Sequence, residues 1–339
     1  MKKGVLFFAF LLITVFFNLE TAYAQRGGRS QDIIEVRLAS PMPRNSDWGR
    51  TLDRMAAEWA RVTNNEVRLR VIHDGLEGSE SKCFSSLATD NIQASLFSSF
   101  GIAKICPAVM TLSIPFLIVN ETELDMVLDE ILPIFEEQIN RTNFVVLCWS
   151  RGGWVNVFSR NQVLTPDDLR RHRIATHPDS TELNLAFRTM GFNMVETDLV
   201  DIGTRLANNT ISAFYQNPAA VAPLGMHRSL GHMLDIPIAP YLGAIVMNRV
   251  TWNKLGPDRQ REILRVTRRI AAEFDATMPR TVTNAMTLMQ REGLRVNHGD
   301  EELWRNEVER ATSSLIGTVF DRDIHRRINE ILVRARSGQ

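Results

Sequence analysis

The chain of 339 residues has few cysteines, few lysines and no excess of charge of either sign. Cys83, Cys106 and Cys148 are odd in number and widely spaced, which argues against a disulfide framework or a zinc site of the CxxC kind. At most one disulfide can form within the chain, and buried or free thiols are favoured. The 39 basic residues, only five of them lysine, balance 39 acidic residues. This balance argues against a nucleic-acid-binding protein, which normally carries a basic excess.

Only one long apolar run occurs, and it lies near the N-terminus. Basic residues precede an apolar stretch over residues 5–17, and Ala22 and Ala24 frame a small-x-small cleavage site. The stretch is shorter than the ~20 residues that a transmembrane helix needs. No cysteine follows it for lipid attachment. We therefore expect residues 1–24 to be a signal peptide cleaved near Ala24, and the mature chain to be exported without a lipid anchor.

Motifs of enzyme active sites are absent as well. The sequence has no HExxH, no GxSxG, no Walker loop and no GxGxxG after a predicted strand. His172 and His177 lie five residues apart, as do His227 and His232, but no acid-rich cluster accompanies either pair. The sequence therefore predicts a protein that is not an enzyme and has neither a metal site nor a cofactor.

The pattern that is present is an alternation of strands and helices. Residues 33–39 and 67–72 alternate between apolar and polar side chains, as strands do, and a helix capped by Asp47 lies between them. With a strand at 94–97, this β-α-β-α-β order predicts parallel pairing. Further helices are predicted at 121–140, from Thr165, and at 180–190, 199–208, 256–292 and 301–336, and further strands at 144–158, 173–176, 211–215 and 236–247.

The strand over residues 144–158 is unusually long, and Gly152 and Gly153 interrupt it. A glycine pair inside a strand marks a bend or a close approach of backbones. We predict that the chain crosses from one domain to another here and that the glycine pair is the hinge.

Aromatic residues recur at the predicted strand ends and breaks. Ligands of open α/β sheets bind beyond the carboxyl ends of the strands, in pockets that are mostly apolar. Singly, each residue fits a packed core; as a set they predict a ligand pocket. The candidates are Trp48, Phe97, Phe116, Trp149, Trp154, Phe214, Tyr215, Gln216, Asn217 and Tyr241.

The order and spacing of seven segments resemble the solute-binding subunit of TRAP (tripartite ATP-independent periplasmic) transporters of the C4-dicarboxylate-binding type. The segments are residues 36–72, 75–80, 114–129, 149–154, 164–170, 190–206 and 252–264. The resemblance covers residues 33–331. It implies an α/β periplasmic-binding-protein clam-shell of two domains, with crossing hinge strands and a long helix that braces both.

The resemblance also implies domain bounds, a location and partners. Domain I would comprise residues 33–150 and about 240–255, and domain II residues 151–239 and about 256–336. The protein would work in the periplasm, capture a small solute and deliver it to membrane permease subunits. The pattern is also similar to the branch of the family that works with a tetratricopeptide-repeat periplasmic protein.

Departures from the family pattern bear on the ligand. Trp154 stands where an arginine normally follows the crossing-strand glycine, and Ala175 stands at the position of the arginine that binds the ligand carboxylate. Arg151 and Arg173 lie close enough in sequence to act as substitutes. We include Arg151 and Ala175 among the candidate ligand-binding residues and expect an apolar or amphipathic ligand. Two alternatives stay open: a ligand carrier or sensor that works with a protein partner without transport, and a receptor for organic acids.

Overall fold

The computed structural model describes residues 33–337, so the expected signal peptide lies outside the described residues. The strands are β1 (Ile34–Ala39), β2 (Val67–Ile72), β3 (Ala94–Ser98), β4 (Phe144–Trp154), β5 (Asn156–Ser159), β6 (Arg173–Thr176), β7 (Asn193–Glu196), β8 (Ala213–Gln216), β9 (His232–Leu234), β10 (Pro240–Asn248) and β11 (Arg295–Asn297). The helices are α1 (Asp47–Val62), α2 (Glu80–Ala88), α3 (Ser99–Ala103), α4 (Glu121–Asn140), α5 (Pro166–Arg170), α6 (Thr181–Thr189), α7 (Ile202–Ala207), α8 (Pro218–Val221), α9 (Arg249–Arg291), α10 (Glu301–Ser313) and α11 (Arg322–Ser337).

The strands form two separate sheets. The first has the order β2-β1-β3-β10-β4, in which β1 and β3 are parallel and β10 runs antiparallel to both neighbours. The second has the order β11-β9-β5-β8-β6-β7, with β6 parallel to β7 and β8. We call the first sheet with α1–α4 and α11 the first lobe, and the second sheet with α5–α8 and α10 the second lobe. This architecture confirms the predicted α/β clam-shell class.

The two lobes are joined where β4 passes into β5. Val155 lies between these strands, and its backbone N–H donates a hydrogen bond of 2.9 Å to the carbonyl of Ala239 on the returning segment. The N–H of Ile238 donates one of 2.9 Å to the carbonyl of Val155. The crossing is therefore a pair of antiparallel segments, two residues beyond the glycine pair at which the sequence predicts it. That the glycine pair is the hinge stays a prediction.

The long helix α9 packs on both lobes. In the first lobe, the indole N–H of Trp59 donates a buried hydrogen bond of 2.8 Å to the hydroxyl of Thr267. In the second, Ala285 and Met289 belong to the hydrophobic core that surrounds Phe214. The predicted bracing helix is thus present, although it begins at Arg249 rather than at Gly256.

Gly256 breaks the regular course of α9. Its φ of +75° is left-handed, a region that glycine enters without a steric penalty. Pro257 follows and restarts the helix, because proline fits a first helical turn. Residues 256–258 therefore open the second part of α9, after the break, whereas the sequence analysis predicted that they open the whole helix.

The C-terminal region holds two helices, α10 and α11, where the sequence analysis predicted one over residues 301–336. A turn separates them, and Gly317 adopts a φ of +93° within it. Ile324, Ile328 and Ile331 of α11 are buried in the hydrophobic core of the first lobe. Arg336 bonds to the Glu123 carboxylate at 2.9 Å and so ties the end of α11 to the start of α4.

Helix starts follow local capping chemistry. The Ser46 hydroxyl, rather than Asp47, caps α1, accepting a hydrogen bond of 3.0 Å from the Gly49 N–H. Thr165 and Asp168 form the reciprocal bonds of a capping box at α5, as predicted.

The sequence analysis missed three short strands: β7, β9 and β11.

All three cysteines are buried and unpaired, which confirms the favoured prediction of buried or free thiols.

Within residues 33–337, no helix has the length and apolar character needed to cross a membrane.

Candidate ligand-binding site

A cavity of about 250 Å³ lies between the first and second lobes. Its walls include the carboxyl ends of strands from both sheets: Ser98 ends β3, Thr176 ends β6 and Gln216 ends β8. This edge is where α/β sheets bind ligands. A small molecule in the cavity would contact both lobes at once.

Eight of the twelve candidate residues line this cavity. They are Trp48, Phe97, Phe116, Ala175, Phe214, Tyr215, Gln216 and Tyr241. They come from distant parts of the chain and from both lobes, so the fold brings together most of the predicted set. Their contact with a ligand stays a prediction.

Packing holds the aromatic walls in place. The Trp48 ring lies 4.3 Å, between centroids, from Phe274 of α9. Phe214 stacks on Phe158 of β5 at 5.5 Å with an angle of 16° between the rings. These contacts fix the positions of two rings in the walls around the cavity, where both rings are buried.

Two phenols add polar groups to these walls. Burial raises the pKa of both Tyr215 and Tyr241, so both hydroxyls stay neutral at physiological pH. A neutral phenol can donate and accept a hydrogen bond. The Tyr241 ring also lies so close to Gly152 that an added Cβ there would be 2.4 Å from its Cδ1 atom.

Trp149, Arg151 and Trp154 do not line the cavity, because all three reach helix α4 instead. The indole N–H of Trp149 donates a hydrogen bond of 3.1 Å to Glu136, and that of Trp154 donates one of 2.7 Å to Glu121. Arg151 forms an ion pair with Asp125. Their side chains pack on the outer face of β4, away from the second lobe's strand ends.

A β-bulge explains why Trp154 shares this face. Leu242 pairs with Arg151 and Pro240 pairs with Trp154, so three steps along β4 match two along β10. Such an insertion reverses the side-chain alternation that follows it. Without the bulge, Trp154 would lie on the same face as Ser150.

Asn217 is the fourth candidate outside the cavity lining. Its side-chain oxygen accepts a hydrogen bond of 2.6 Å from the N–H of Ala219 and so caps α8. Its amide nitrogen is buried and has no hydrogen-bond partner among the described residues. It lies beside Gly153, at the crossing between the lobes.

Three carboxylates, which the sequence analysis did not single out, also line the cavity. Glu77 pairs with Arg37 at 3.0 Å, and Glu80 accepts hydrogen bonds from the backbone N–H and the hydroxyl of Ser98. The Asp198 carboxylate has no hydrogen bond or ion pair with another side chain or backbone group within residues 33–337, and burial raises its pKa. Asp198 is therefore the carboxylate best placed to accept hydrogen bonds from a ligand.

No arginine or lysine occurs among the described residues that line the cavity. Arg151 is engaged with Asp125. The Arg173 guanidinium donates a hydrogen bond of 2.9 Å to the Thr210 carbonyl. Neither of the two arginines considered as substitutes for the family residues therefore reaches the cavity in this structure.

His177 is a further lining residue that sequence reasoning did not include. It follows β6 directly, while Glu77 and Glu80 belong to the Gly-rich loop and helix start that follow β2. Their positions just beyond strand ends were the available signal. Aromatic residues at such positions carried the prediction of the pocket, whereas these titratable residues did not enter it.

Within residues 33–337, no group of three or more His, Cys, Asp or Glu side chains is arranged to hold a metal ion.

A comparison with protein families matches residues 38–317 to DctP, the bacterial extracellular solute-binding protein family 7. Among curated proteins, a solute-binding protein of Sulfitobacter sp. (strain NAS-14.1) is 21% identical over 175 residues. The match covers 51% of this chain and 53% of that protein, so the chain spans about half the length of this relative.

Solved structures share the fold over nearly the whole chain. A TRAP periplasmic solute-binding protein of Chromohalobacter salexigens, with bound D-glucuronate, has a TM-score of 0.79 and 17% identity, covering 90% of this chain and 100% of its own. The sugar-acid-binding protein of Advenella mimigardefordensis, in complex with galactonate, has a TM-score of 0.83 and 15% identity, with the same coverage. At these identities the likeness concerns the fold.

Proposed function

Because the chain belongs to the DctP family of bacterial extracellular solute-binding proteins, we propose that it is the periplasmic receptor of a TRAP-type transporter. It captures a small organic solute in the cavity between its lobes and presents it to the membrane permease subunits. It binds and does not catalyse, as is general in this family. The observation that carries the proposal is the cavity lined by strand ends of both sheets, with the lobes joined by crossing strands.

Export and domain division are parts of the same proposal. Proteins of this family are periplasmic, and cleavage near Ala24 stays a prediction. The predicted division takes residues 33–150 and about 240–255 as domain I, and residues 151–239 and about 256–336 as domain II. We keep this division except for helix α11, which we move from domain II to domain I. The packing of α11 on α4 supports assigning this last helix to domain I.

The ligands of the related structures contradict the expectation of an apolar or amphipathic solute. The proteins of Chromohalobacter and Advenella hold D-glucuronate and galactonate. We therefore propose a sugar-sized, hydroxyl-rich ligand for this chain. Aromatic faces such as those of the half-buried Tyr215 and Tyr241 would contact the apolar side of a sugar ring, and Asp198 would accept hydrogen bonds from its hydroxyls.

The charge of the cavity limits this analogy. With carboxylates in its wall and no lining arginine or lysine among the described residues, a ligand carboxylate would have no guanidinium or ammonium partner. A hydrogen bond to a charged group contributes about 1.5–3 kcal/mol, and an unpaired buried charge is costly. We expect an uncharged sugar to bind at least as tightly as the corresponding sugar acid.

Calorimetry on the mature chain with D-glucose, D-glucuronate and D-galactonate tests the ligand. Asp198→Ala should weaken binding of the sugar by about 10–100-fold, because it removes charged hydrogen bonds. Asp201→Ala is the matched control: it removes the same group three residues away, where the side chain is exposed and outside the cavity lining. Equal loss in both variants would count against a role for Asp198.

Native mass spectrometry of the protein purified from its own cells tests the receptor function separately. A stoichiometric small molecule that is lost on unfolding supports it. If none of the three probes binds but such a molecule is present, the sugar proposal is wrong and the receptor proposal stands. If neither is seen, the receptor proposal is wrong. The carrier or sensor alternative and a tetratricopeptide-repeat partner predict co-purification of a soluble protein instead of permease subunits.

A further inference from the structure

The segment that follows β6 reaches across to the first lobe, away from the crossing strands. It contains His177 and Asp179, while the groups it meets are Glu80 and Ser81 of α2 and the region of α3. We propose that these contacts form a latch that holds the two lobes together over the cavity. The latch comprises His177 and Asp179 on the second lobe and Glu80, Ser81, Phe100 and Lys104 on the first.

Asp179 makes the polar half of the latch. Its Oδ2 atom accepts a hydrogen bond of 2.6 Å from the Ser81 hydroxyl and lies 2.9 Å from the Lys104 ammonium. Burial raises the pKa of this carboxyl, but the bonds from Ser81 and Lys104 outweigh burial and lower the pKa below its usual value. The carboxylate is therefore ionised when it meets the first lobe, as a charge-assisted contact requires.

His177 makes the stacked half. Its ring lies parallel to that of Phe100, with 4.7 Å between centroids and 6° between the planes. Its Nε2 atom lies 3.5 Å from Oε2 of Glu80, and both side chains are more than four-fifths buried. Glu80 is itself fixed by the backbone and hydroxyl of Ser98. Rigid groups on both sides give a contact with a defined geometry.

The latch and the cavity share residues. Glu80, Phe100 and His177 all line the cavity, and each latch contact joins one lobe to the other. Separating the lobes would break all of these contacts and open that wall. None of the named contacts involves β4, β5 or α9, so the latch is a connection independent of the crossing strands. It goes beyond solute binding, because it sets the balance between open and closed lobes.

Pulsed electron–electron double resonance measures the populations of open and closed lobes without any ligand. Spin labels on L76C and L185C probe one exposed position on each lobe, since these leucines are 75% and 64% exposed. The native cysteines are buried and are left in place. Asp179→Asn and Lys104→Met should each raise the long-distance population about tenfold relative to the short one, the effect of about 1.4 kcal/mol.

Two further variants make the result specific. The double variant Asp179→Asn/Lys104→Met should open the lobes little more than either single change, because both remove the same ion pair. Asp258→Asn, which alters an exposed carboxylate paired with Arg261 on α9, should leave the distances unchanged. If one latch variant fails to fold, the other tests the same pair from the opposite lobe. Distances in both latch variants that match Asp258→Asn would overturn the proposal, whichever solute the protein binds.

Discussion

The hydroxyl of Ser150 donates a hydrogen bond of 2.8 Å to Oδ1 of Asp275 and so joins strand β4 to the long helix α9. The backbone N–H of Arg151 donates to the same oxygen at 3.0 Å. Asp275 is thus tied to the strand just before the Gly152–Gly153 bulge. Asp275 therefore fixes helix α9, which packs on both lobes, to the end of β4, just before the chain crosses to the second lobe.

This contact predicts a dependence of stability on pH. Burial raises the pKa of Asp275 to about 6, and the bonds from Ser150 and Arg151 only partly oppose that rise. Between pH ~4 and ~6 the folded protein therefore holds a proton that the unfolded chain has lost, so stability falls as pH rises through this range. Asp275→Asn should remove that part of the fall, up to about 3 kcal/mol, in urea unfolding at several pH values. Parallel curves for the wild type and the variant would contradict it.

The left-handed backbone of Gly153 predicts that glycine-to-alanine substitutions at two positions differ sharply in their effect on stability. Gly153 has a φ of +81°, and an added Cβ would lie 2.9 Å from the amide nitrogen of Asn217. We expect Gly153→Ala to lower the free energy of unfolding by about 1–3 kcal/mol. Gly203→Ala, in helix α7 with no atom within 4 Å of the added carbon, should be neutral or stabilising. Chemical denaturation of both variants checks the comparison.

Thiol chemistry offers a test of the core. Burial raises the pKa of Cys83 and Cys106 to about 11 and that of Cys148 to about 12. Since the thiolate is the reactive form, none of the three should react rapidly with a thiol reagent at pH 8 in the folded protein. All three should react after unfolding. Rapid modification of one thiol in the native state would contradict the burial of that cysteine in the structure.

The missing cation in the cavity predicts a gain of function. Ala175 lines the cavity. The resemblance described above implies that an arginine stands at this position in the family. Ala175→Arg should improve binding of D-glucuronate by about 10–100-fold, because a guanidinium would then pair with the carboxylate. Binding of D-glucose, the matched uncharged sugar, should not improve. Calorimetry with both sugars separates the effect of charge from that of pocket shape.

Long elements with strong local signals were predicted well. The sequence analysis placed a helix at residues 121–140 and a strand at 67–72, and both have these bounds in the structure. Their apolar periods are clear and their ends carry caps or turns. The short strands β7, β9 and β11 have three or four residues, too few to show a period, and they form through tertiary pairing.

The site was predicted less completely, and β4 shows why. Trp149 and Arg151 alternate with Ser150, so the period shows that they share a face. The period does not show which face of the strand packs on α4 and which packs on α9. Only the positions of the neighbouring helices decide that. The bulge that turns Trp154 toward Glu121 likewise depends on the pairing register with β10.

The crossing at Val155 determines what kind of motion the lobes can make. Two antiparallel segments hydrogen-bonded to each other form a narrow ribbon, and two-stranded ribbons are more strongly twisted than wide sheets. Because α9 is anchored in the cores of both lobes, sliding of one lobe along the other would strain that anchor. We therefore expect closure to be a hinge rotation of one lobe toward the other at this ribbon. One interatomic distance between the lobes would then be enough to follow it.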